Sequence, residues 1–176
     1  MCATATAILH WNAIPVFADI DPLTFNIDPK SIINNITSQT KAIIATDIFG
    51  QSCRIDEIME IANHYNLKVI TDTAQSPGSF YKNKMTGTHS HIGGYSLNYH
   101  KHIHTGEGGV LFTNNSLYAK KLKLLRNHGL VGRDVVKICG YNSRLDTFQA
   151  VVGNWLLPKA HSIANQRIKN ANFYDR

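Results

Sequence analysis

The sequence lacks the cysteine patterns of disulfide-stabilised secreted proteins and of structural zinc sites. Its 176 residues include three cysteines, Cys2, Cys53 and Cys139, which lie far apart and form no CxxC pair. An odd number of widely spaced cysteines argues against both a disulfide framework and a cysteine-based zinc site. The sequence therefore favours a reducing, cytosolic setting.

Long apolar runs are also missing from the sequence. No run approaches the roughly 20 residues with which a helix crosses a bilayer. Residues 1–17 are mildly apolar, but they lack a basic segment and contain His10, Trp11 and Asn12, which is atypical of a signal peptide. We therefore expect a soluble protein without a membrane segment.

Charged residues are scarce, at 17% of the chain, and their balance is positive, at +6. A positive balance suits ligands that carry phosphate, but it equally suits nucleic acid, so charge alone identifies no partner. The hydrophobic content of 43% is enough for one sizeable core, and the length predicts one domain or most of one.

Strand and helix patterns alternate along the first half of the chain. Apolar runs rich in branched residues predict strands, and apolar residues at helical spacing predict helices. Strands are predicted at residues 14–20, 41–49 and 68–71, and helices at residues 28–36 and 55–65. This alternation predicts an α/β fold in which a mostly parallel sheet is covered by helices on both faces, as a three-layer α/β/α arrangement.

The second half of the chain begins with an irregular segment at residues 76–90. An amphipathic helix should then direct Leu117, Leu122 and Leu125 inward, and a later apolar helix should be largely buried. The predicted elements are strands at residues 92–97 and 110–113 and helices at residues 116–128, 145–157 and 158–176.

Asp72 follows the strand at residues 68–71, at the edge where parallel sheets bind ligands. A carboxylate there can pair by charge with a flat heteroaromatic ligand. The small Ala74 beside it can contact the face of the ring, and the amide of Gln75 can contact its edge. An aspartate that merely caps a helix or a turn has the same sequence position. Both interpretations stay open at this point.

Lys101 lies five residues after Ser96 and just before the glycine cluster at residues 106–109. Glycines let backbone amides approach an anion closely. A lone loop lysine is usually a solvated surface charge. The order of acid, hydroxyl, lysine and glycine-rich loop along one edge of the sheet nevertheless predicts a site that joins Asp72, Ser96 and Lys101.

Closely spaced histidines raise the question of a metal site, because imidazole is a common zinc ligand. No carboxylate or cysteine completes a usual ligand set around them, so we predict a polar cleft and no metal. These histidines are His89, His91, His100, His102 and His104. Asn142 precedes the apolar helix, where it either caps that helix or contacts a ligand.

Six ordered motifs resemble the sugar aminotransferase family of the DegT/DnrJ/StrS type, within the fold-type I pyridoxal-phosphate enzymes. The resemblance runs from about Ala3 to the end of the chain. The motifs are FADIDPLTFNID, KAIIATDIFGQ, TDTAQSPGSFY, GYSLNYHKHIHTGEGGVLFT, LLRNHG and GYNSRLDTFQA.

The resemblance implies that the cofactor is pyridoxal 5'-phosphate and that four residues surround its ring. Lys101 matches the Schiff-base lysine, which also acts as catalytic acid and base. Asp72 matches the partner of the ring nitrogen, and Gln75 matches a glutamine near the phenolic oxygen. Ala74 would pack against the ring face.

The resemblance also implies phosphate contacts, partners and substrates. Ser96 matches a hydroxyl that binds the cofactor phosphate, and Asn142 matches a residue that reaches the phosphate of the neighbouring subunit in a homodimer. The expected reaction converts a nucleotide-linked keto-sugar to an amino-sugar, with L-glutamate as donor. We expect a cytoplasmic location and neither a nucleic-acid nor a membrane partner.

Family members usually begin before this chain's start and end with a smaller C-terminal domain. Residues 1–176 are therefore expected to be the central part of the large, cofactor-binding domain, incomplete at both ends, with helices after about residue 144 leading towards the small domain. We expect impaired activity for such a chain. A non-catalytic module for dimerisation or ligand sensing is one alternative, and a pyridoxal-phosphate sugar dehydratase is another. Lys101 argues against the dehydratase, since the members known for that reaction have lost this lysine.

Overall fold

The computed structural model describes residues 2–175 and contains two compact units, which divide the chain after Tyr95. The boundary falls within the strand Ile92–Ser96, whose last residue belongs to the second unit. The elements of the first unit are α1 Cys2–Leu9, α2 Pro29–Asn35, β1 Ala42–Thr46, a 3₁₀ turn at Ile48–Gly50, α3 Ile55–His64, β2 Lys68–Asp72, β3 Phe80–Tyr81, β4 Lys84–Met85 and β5 Ile92–Ser96.

A parallel sheet of β1, β2 and β5 lies at the centre of the first unit. β2 pairs with β1 on one side and with β5 on the other. Thr46, Asp72 and Gly94 stand in register where the three strands end. The predicted parallel α/β arrangement is thus confirmed, and its carboxyl edge carries Asp72.

Helix α3 provides much of the core against this sheet. Its residues Ile55, Ile58 and Ala62 recur at helical spacing and are buried, as is Val69 of β2. They form one apolar cluster, which Ile32 of α2 joins. Burying each isoleucine or valine side chain of this cluster stabilises the fold by about 1.5–3 kcal/mol. This packing fixes β2, and hence the strand end from which the site is built.

The segment at residues 76–90 is less irregular than its sequence predicts. It contains an antiparallel hairpin of β3 and β4, whose two turn residues, Lys82 and Asn83, both have positive φ. The hairpin is held to α3 because the Tyr81 hydroxyl donates to Asp56 Oδ1 over 2.6 Å and Lys82 forms an ion pair with the same carboxylate. The hydrogen bonds from Lys82 and Tyr81 hold the pKa of Asp56 well below its usual value.

The strand predicted at residues 14–20 is wrong. The structure has irregular backbone there, with a single bridge from Ile20 to Ile27, and Ile14 and Phe17 are largely exposed. A branched apolar run adopts a strand only where another strand offers hydrogen-bond partners, and sequence pattern does not reveal whether one does. The helix α1, by contrast, was not predicted.

The second unit combines one strand with three longer helices over its described part. They are β6 Gly109–Phe112, α4 Ser116–Arg126, α5 Thr147–Leu156 and α6 Ala160–Tyr174, with a 3₁₀ turn at Leu157–Lys159. Each was predicted to within a few residues. The start of α4 is capped by Asn115, whose side chain accepts hydrogen bonds from the amides of Leu117 and Tyr118. No helix within residues 2–175 is long and apolar enough to cross a membrane.

The predicted burial of two helices in this unit is wrong in part. Phe148 and Trp155 of α5 are 84% and 63% exposed, and Leu117 of α4 is 70% exposed. An apolar helix face indicates that a surface is suited to burial, but it does not identify the surface that covers it. The helices themselves are where the sequence predicts them.

Candidate functional site

Asp72 stands at the end of β2 with its half-buried carboxylate held by two donors. The Thr4 hydroxyl donates to Oδ2 over 2.7 Å, and the Ala74 amide donates to Oδ1 over 3.1 Å. The second bond is an Asx turn, so the turn role considered from the sequence is present. A carboxylate has about four acceptor positions, so two bonds orient Asp72 and leave capacity for a ligand.

The turn that follows Asp72 is anchored to β5. Both the amide and the hydroxyl of Thr73 donate to the carbonyl of Gly94, over 3.0 and 2.8 Å. The Ser76 amide closes the turn by donating to the Thr73 carbonyl over 3.0 Å. Ala74 and Gln75 therefore sit on a backbone that the sheet itself holds in place.

Gln75 is oriented by a backbone amide from the loop after β1. The Phe49 amide donates to Gln75 Oε1 over 2.8 Å, so the side-chain NH₂ is the end of this amide that can donate to a ligand oxygen. Phe49 adopts a left-handed backbone with φ 57°, which is strained for a residue with a side chain. Strain of this kind concentrates near functional sites, and sequence pattern gives no sign of it.

A buried carboxylate, Asp47, lies under the same turn. It is fully buried, its amide donates to the carbonyl of Asp72 over 2.9 Å, and its Oδ1 accepts from the Cys53 amide over 2.9 Å. Burial raises the pKa of Asp47, while hydrogen bonds from Cys53 and Ser76 act against that rise. Asp47 was not predicted from the sequence, although its place directly after β1 was an available signal.

In the second unit, the turn that carries Lys101 is built around Asn98. The Asn98 amide donates to Ser96 Oγ over 3.2 Å, and its carbonyl accepts from the Lys101 amide over 2.8 Å. Its side chain accepts from the His100 amide over 3.1 Å and donates to Glu107 Oε1 over 2.7 Å. Asn98 was not predicted from the sequence either, because a loop asparagine between two strands carries no distinguishing pattern.

The glycine-rich loop folds back tightly beside this turn. The Leu97 amide donates to the carbonyl of Gly108, and the Thr105 amide donates to the carbonyl of Leu97, each over 2.9 Å. Gly108 has φ +144°, and a Cβ there would come within 2.6 Å of Leu145 Cδ1. Glycine is favoured at this position chiefly because of its backbone conformation, and the tip of the Leu145 side chain would have to shift to admit a Cβ.

Asn142 is exposed and pairs through a backbone bridge with Asn127. The interpretation of Asn142 as the cap of the following helix is wrong. Helix α5 begins with a capping box in which Asp146 accepts from the Phe148 amide over 2.8 Å and the Gln149 side chain accepts from the Asp146 amide over 3.1 Å. The side chain of Asn142 is therefore not used to start the helix.

The histidines fall into separate environments. His91 Nδ1 accepts from the Val69 amide over 3.0 Å, and burial lowers the pKa of His91. The ring of His89 packs edge-on against Tyr81. Burial lowers the pKa of His102, and the charges of Arg167 and Lys101 lower it further. Among residues 2–175, no group of three or more His, Cys, Asp or Glu side chains is placed to hold a metal ion.

The predicted site residues thus fall into three groups. Asp72, Ala74 and Gln75 share one anchored turn of the first unit, while Ser96 and Lys101 share the turn around Asn98 in the second. Asn142 lies on a third segment. That all three groups meet around one ligand stays a prediction.

The match to known families decides what kind of protein this is. The model of the DegT/DnrJ/EryC1/StrS aminotransferase family matches residues 1–176. The chain belongs to this family. The family predicted from the six sequence motifs is therefore confirmed, and aminotransferases of this family use pyridoxal phosphate as cofactor.

Known members of the family resemble the chain in sequence and in structure. GDP-perosamine synthase of Caulobacter vibrioides is 37% identical over 170 residues, which are 94% of this chain and 46% of that protein. The structure of Helicobacter pylori PseC, an aminotransferase involved in the biosynthesis of pseudoaminic acid, matches with a TM-score of 0.95 at 34% identity. That match covers 100% of this chain and 48% of PseC.

A further solved structure carries a cofactor. NtdA of Bacillus subtilis, solved with its bound cofactor PMP, matches with a TM-score of 0.81 at 35% identity, over 87% of this chain and 35% of NtdA. These structures confirm the predicted fold class. The chain spans about half the length of the curated relatives that it matches.

Proposed function

We propose that the protein is a pyridoxal-phosphate-dependent aminotransferase that converts a nucleotide-linked keto-sugar to an amino-sugar, with L-glutamate as donor. Residues 1–176 form the central part of its large domain. The observation that carries the proposal is the Asp72 carboxylate, which two donors hold at the end of a parallel strand, on one turn with Ala74 and Gln75. Family membership supplies the reaction class.

The residues of this turn fit the ring of the cofactor. Asp72 retains acceptor positions for a protonated ring nitrogen, and a charge-assisted hydrogen bond of that kind contributes about 1.5–3 kcal/mol. The Gln75 NH₂ can donate to the phenolic oxygen because its carbonyl already accepts from Phe49. Ala74 is small enough to let a flat ring approach the backbone.

The residues around Asn98 suit the phosphate group of the cofactor and the part of the cofactor at which the reaction takes place. The Ser96 oxygen accepts from the Asn98 amide, so the hydroxyl proton is directed to another acceptor such as a phosphate oxygen. The backbone of the Lys101 turn is fixed by the Asn98 carbonyl, whereas its amine is free of that contact. The glycine-rich loop adds backbone amides that suit an anion.

Lys101 is the residue that we assign to proton transfer. When bound, the cofactor supplies an electron sink that accepts the electrons released as a C–H bond beside nitrogen breaks. The Lys101 amine would move the proton from the α-carbon of L-glutamate to the cofactor carbon that is bonded to the same nitrogen, and it would draw on that carbon for the reverse transfer. In the second half of the reaction it returns a proton to the sugar carbon that becomes the amino-bearing carbon.

Release of 2-oxoglutarate tests this proposal. The purified protein, loaded with pyridoxal phosphate, should release up to one 2-oxoglutarate per site when L-glutamate is added, at an impaired rate. The Asp72→Asn variant should release it about ten- to hundredfold more slowly, because the amide cannot pair with a protonated ring nitrogen as strongly as the carboxylate does. Equal rates for the two proteins would remove Asp72 from the mechanism.

We also propose that the active site is shared across a homodimer in the cytoplasm. Family resemblance assigns Asn142 to the neighbouring subunit's phosphate, and Asn142 is exposed. Apolar residues in both units are also exposed, which suits contact with a second copy. They include Ile14, Phe17, Leu23, Phe148 and Trp155. The free cysteines support a reducing compartment.

Subunit mixing tests the shared site. Lys101→Ala and Asn142→Ala each damage one half of a site, so each variant alone should be impaired. Equal mixing should recover about a quarter of the wild-type sites, because half of the dimers are hybrids and one site in each hybrid has both native residues. Activity that stays at the sum of the separate variants after unfolding and refolding together would rule out a site built from two subunits.

A further inference from the structure

The contact between Thr4 and Asp72 joins two parts of the first unit that are 68 residues apart in the chain. Thr4 lies in the first turn of α1 and carries the hydroxyl that makes this contact. Here it points to Asp72 Oδ2 over 2.7 Å. An ionised carboxylate is acceptor-only, so the hydroxyl is the donor in this pair.

The two hydrogen-bond donors to Asp72 differ in whether a side-chain substitution can remove them. The Ala74 amide belongs to the backbone of the turn and reaches Oδ1 whatever the residue at position 4. The Thr4 hydroxyl reaches the other oxygen, and it alone of these two donors is removed by a side-chain substitution. Because the terminal torsion of an aspartate has a broad range, one bond leaves the carboxylate plane loosely defined, whereas two bonds fix it.

We propose that Thr4 is a positioning residue, whose hydroxyl sets the plane of the Asp72 carboxylate and thereby the strength of its pairing with the ring nitrogen of pyridoxal phosphate. This rests on the proposed function, since it assumes that Asp72 meets that nitrogen. Thr4 itself does not touch the cofactor in this assignment. The proposal concerns one hydroxyl, so it can be separated from the folding role of α1.

Thr4→Val and Thr4→Ser form the matched pair for the test. Valine keeps the branched shape and removes the hydroxyl, while serine keeps the hydroxyl. The dissociation constant for pyridoxal phosphate, measured by fluorescence titration, should rise about tenfold in Thr4→Val, equivalent to about 1.4 kcal/mol. Thr4→Ser should stay within about twofold of the wild type, a difference of about 0.4 kcal/mol. Similar weakening in both variants would contradict the proposal.

A cofactor analogue separates positioning from a general structural role. In 1-deazapyridoxal phosphate the ring nitrogen is replaced by carbon, so Asp72 has nothing to pair with. The wild type and Thr4→Val should bind this analogue with equal affinity. Tenfold weaker binding of the analogue by Thr4→Val would show that the substitution damages the fold, and the proposal would fail.

Asp72→Asn distinguishes failure of this inference from failure of the proposed function. If Asp72→Asn weakens pyridoxal phosphate binding but Thr4→Val does not, the positioning role of Thr4 is wrong while the proposed function stands. If Asp72→Asn binds pyridoxal phosphate as tightly as the wild type, the assignment of Asp72 fails and the inference about Thr4 fails with it.

Discussion

Replacing Lys101 by alanine is expected to abolish covalent capture of pyridoxal phosphate and to slow amino transfer by about 10²–10⁴-fold, the usual contribution of a positioned acid or base. The amine is the only part of this residue with a proposed chemical role. The backbone amide, which bonds to the Asn98 carbonyl, is unchanged by the substitution. The variant should therefore keep its fold.

Borohydride reduction followed by peptide mass spectrometry measures the capture directly. In the wild type, the reduced cofactor should be found on the peptide that contains Lys101, and in Lys101→Ala it should be absent. Lys121→Ala is the matched control, since Lys121 is an exposed lysine on α4 of the same unit. If the Lys101→Ala variant still carries the reduced cofactor on another lysine, the assignment of Lys101 is wrong.

Gly129→Ala is expected to destabilise the second unit by about 2–4 kcal/mol, which is large for a single substitution. Gly129 has φ +72°, and a Cβ there would lie 1.7 Å from the carbonyl oxygen of Ile138. A left-handed backbone costs a non-glycine residue about 1–2 kcal/mol, and the clash with Ile138 adds displacement of the backbone. This packing lies close to the bridge between Asn127 and Asn142, so the exposed Asn142 should also be displaced.

Gly132→Ala is the control for this change, because a Cβ at Gly132 would meet no heavy atom within 4 Å in the described part of the chain. Urea unfolding of both variants should show a lower midpoint for Gly129→Ala alone. The subunit-mixing experiment gives a second measure of the displacement of Asn142. Mixing Gly129→Ala with Lys101→Ala should recover activity in the same way as mixing Asn142→Ala with Lys101→Ala. Equal unfolding midpoints for the two glycine variants would contradict the packing described for Gly129.

The first group of site residues could be predicted because it depends on local pattern. A short branched run predicts β2, and a parallel sheet brings the residue after such a strand to the ligand-binding edge, which is how Asp72 was found. Asn98 could not be found in this way, whereas Asp47 directly follows β1 and gave the same signal but was missed. The importance of Asn98 lies in the hydrogen bonds that it accepts and donates within a folded loop, and many loop residues have the same chemical groups.

Contacts between distant parts of the chain were the other feature that could not be predicted from the sequence. No local property of Thr4 reveals that α1 brings it to Asp72, 68 residues away. The burial of α5 was predicted wrongly for a related reason, since an apolar helix face does not reveal whether it packs against its own chain or against another. Residues 14–20 show the same limit for strands, whose pairing is decided by partners elsewhere in the molecule.

The contact between Phe49 and Gln75 has a consequence for how such sites are compared across a family. The bond comes from the main chain of Phe49, so the aromatic ring contributes nothing to it. Substitutions at position 49 that preserve the left-handed backbone would leave the glutamine oriented as before. Position 49 can therefore vary during evolution without a matching change at position 75, and a search for correlated substitutions would overlook a contact that orients one of the site's donors.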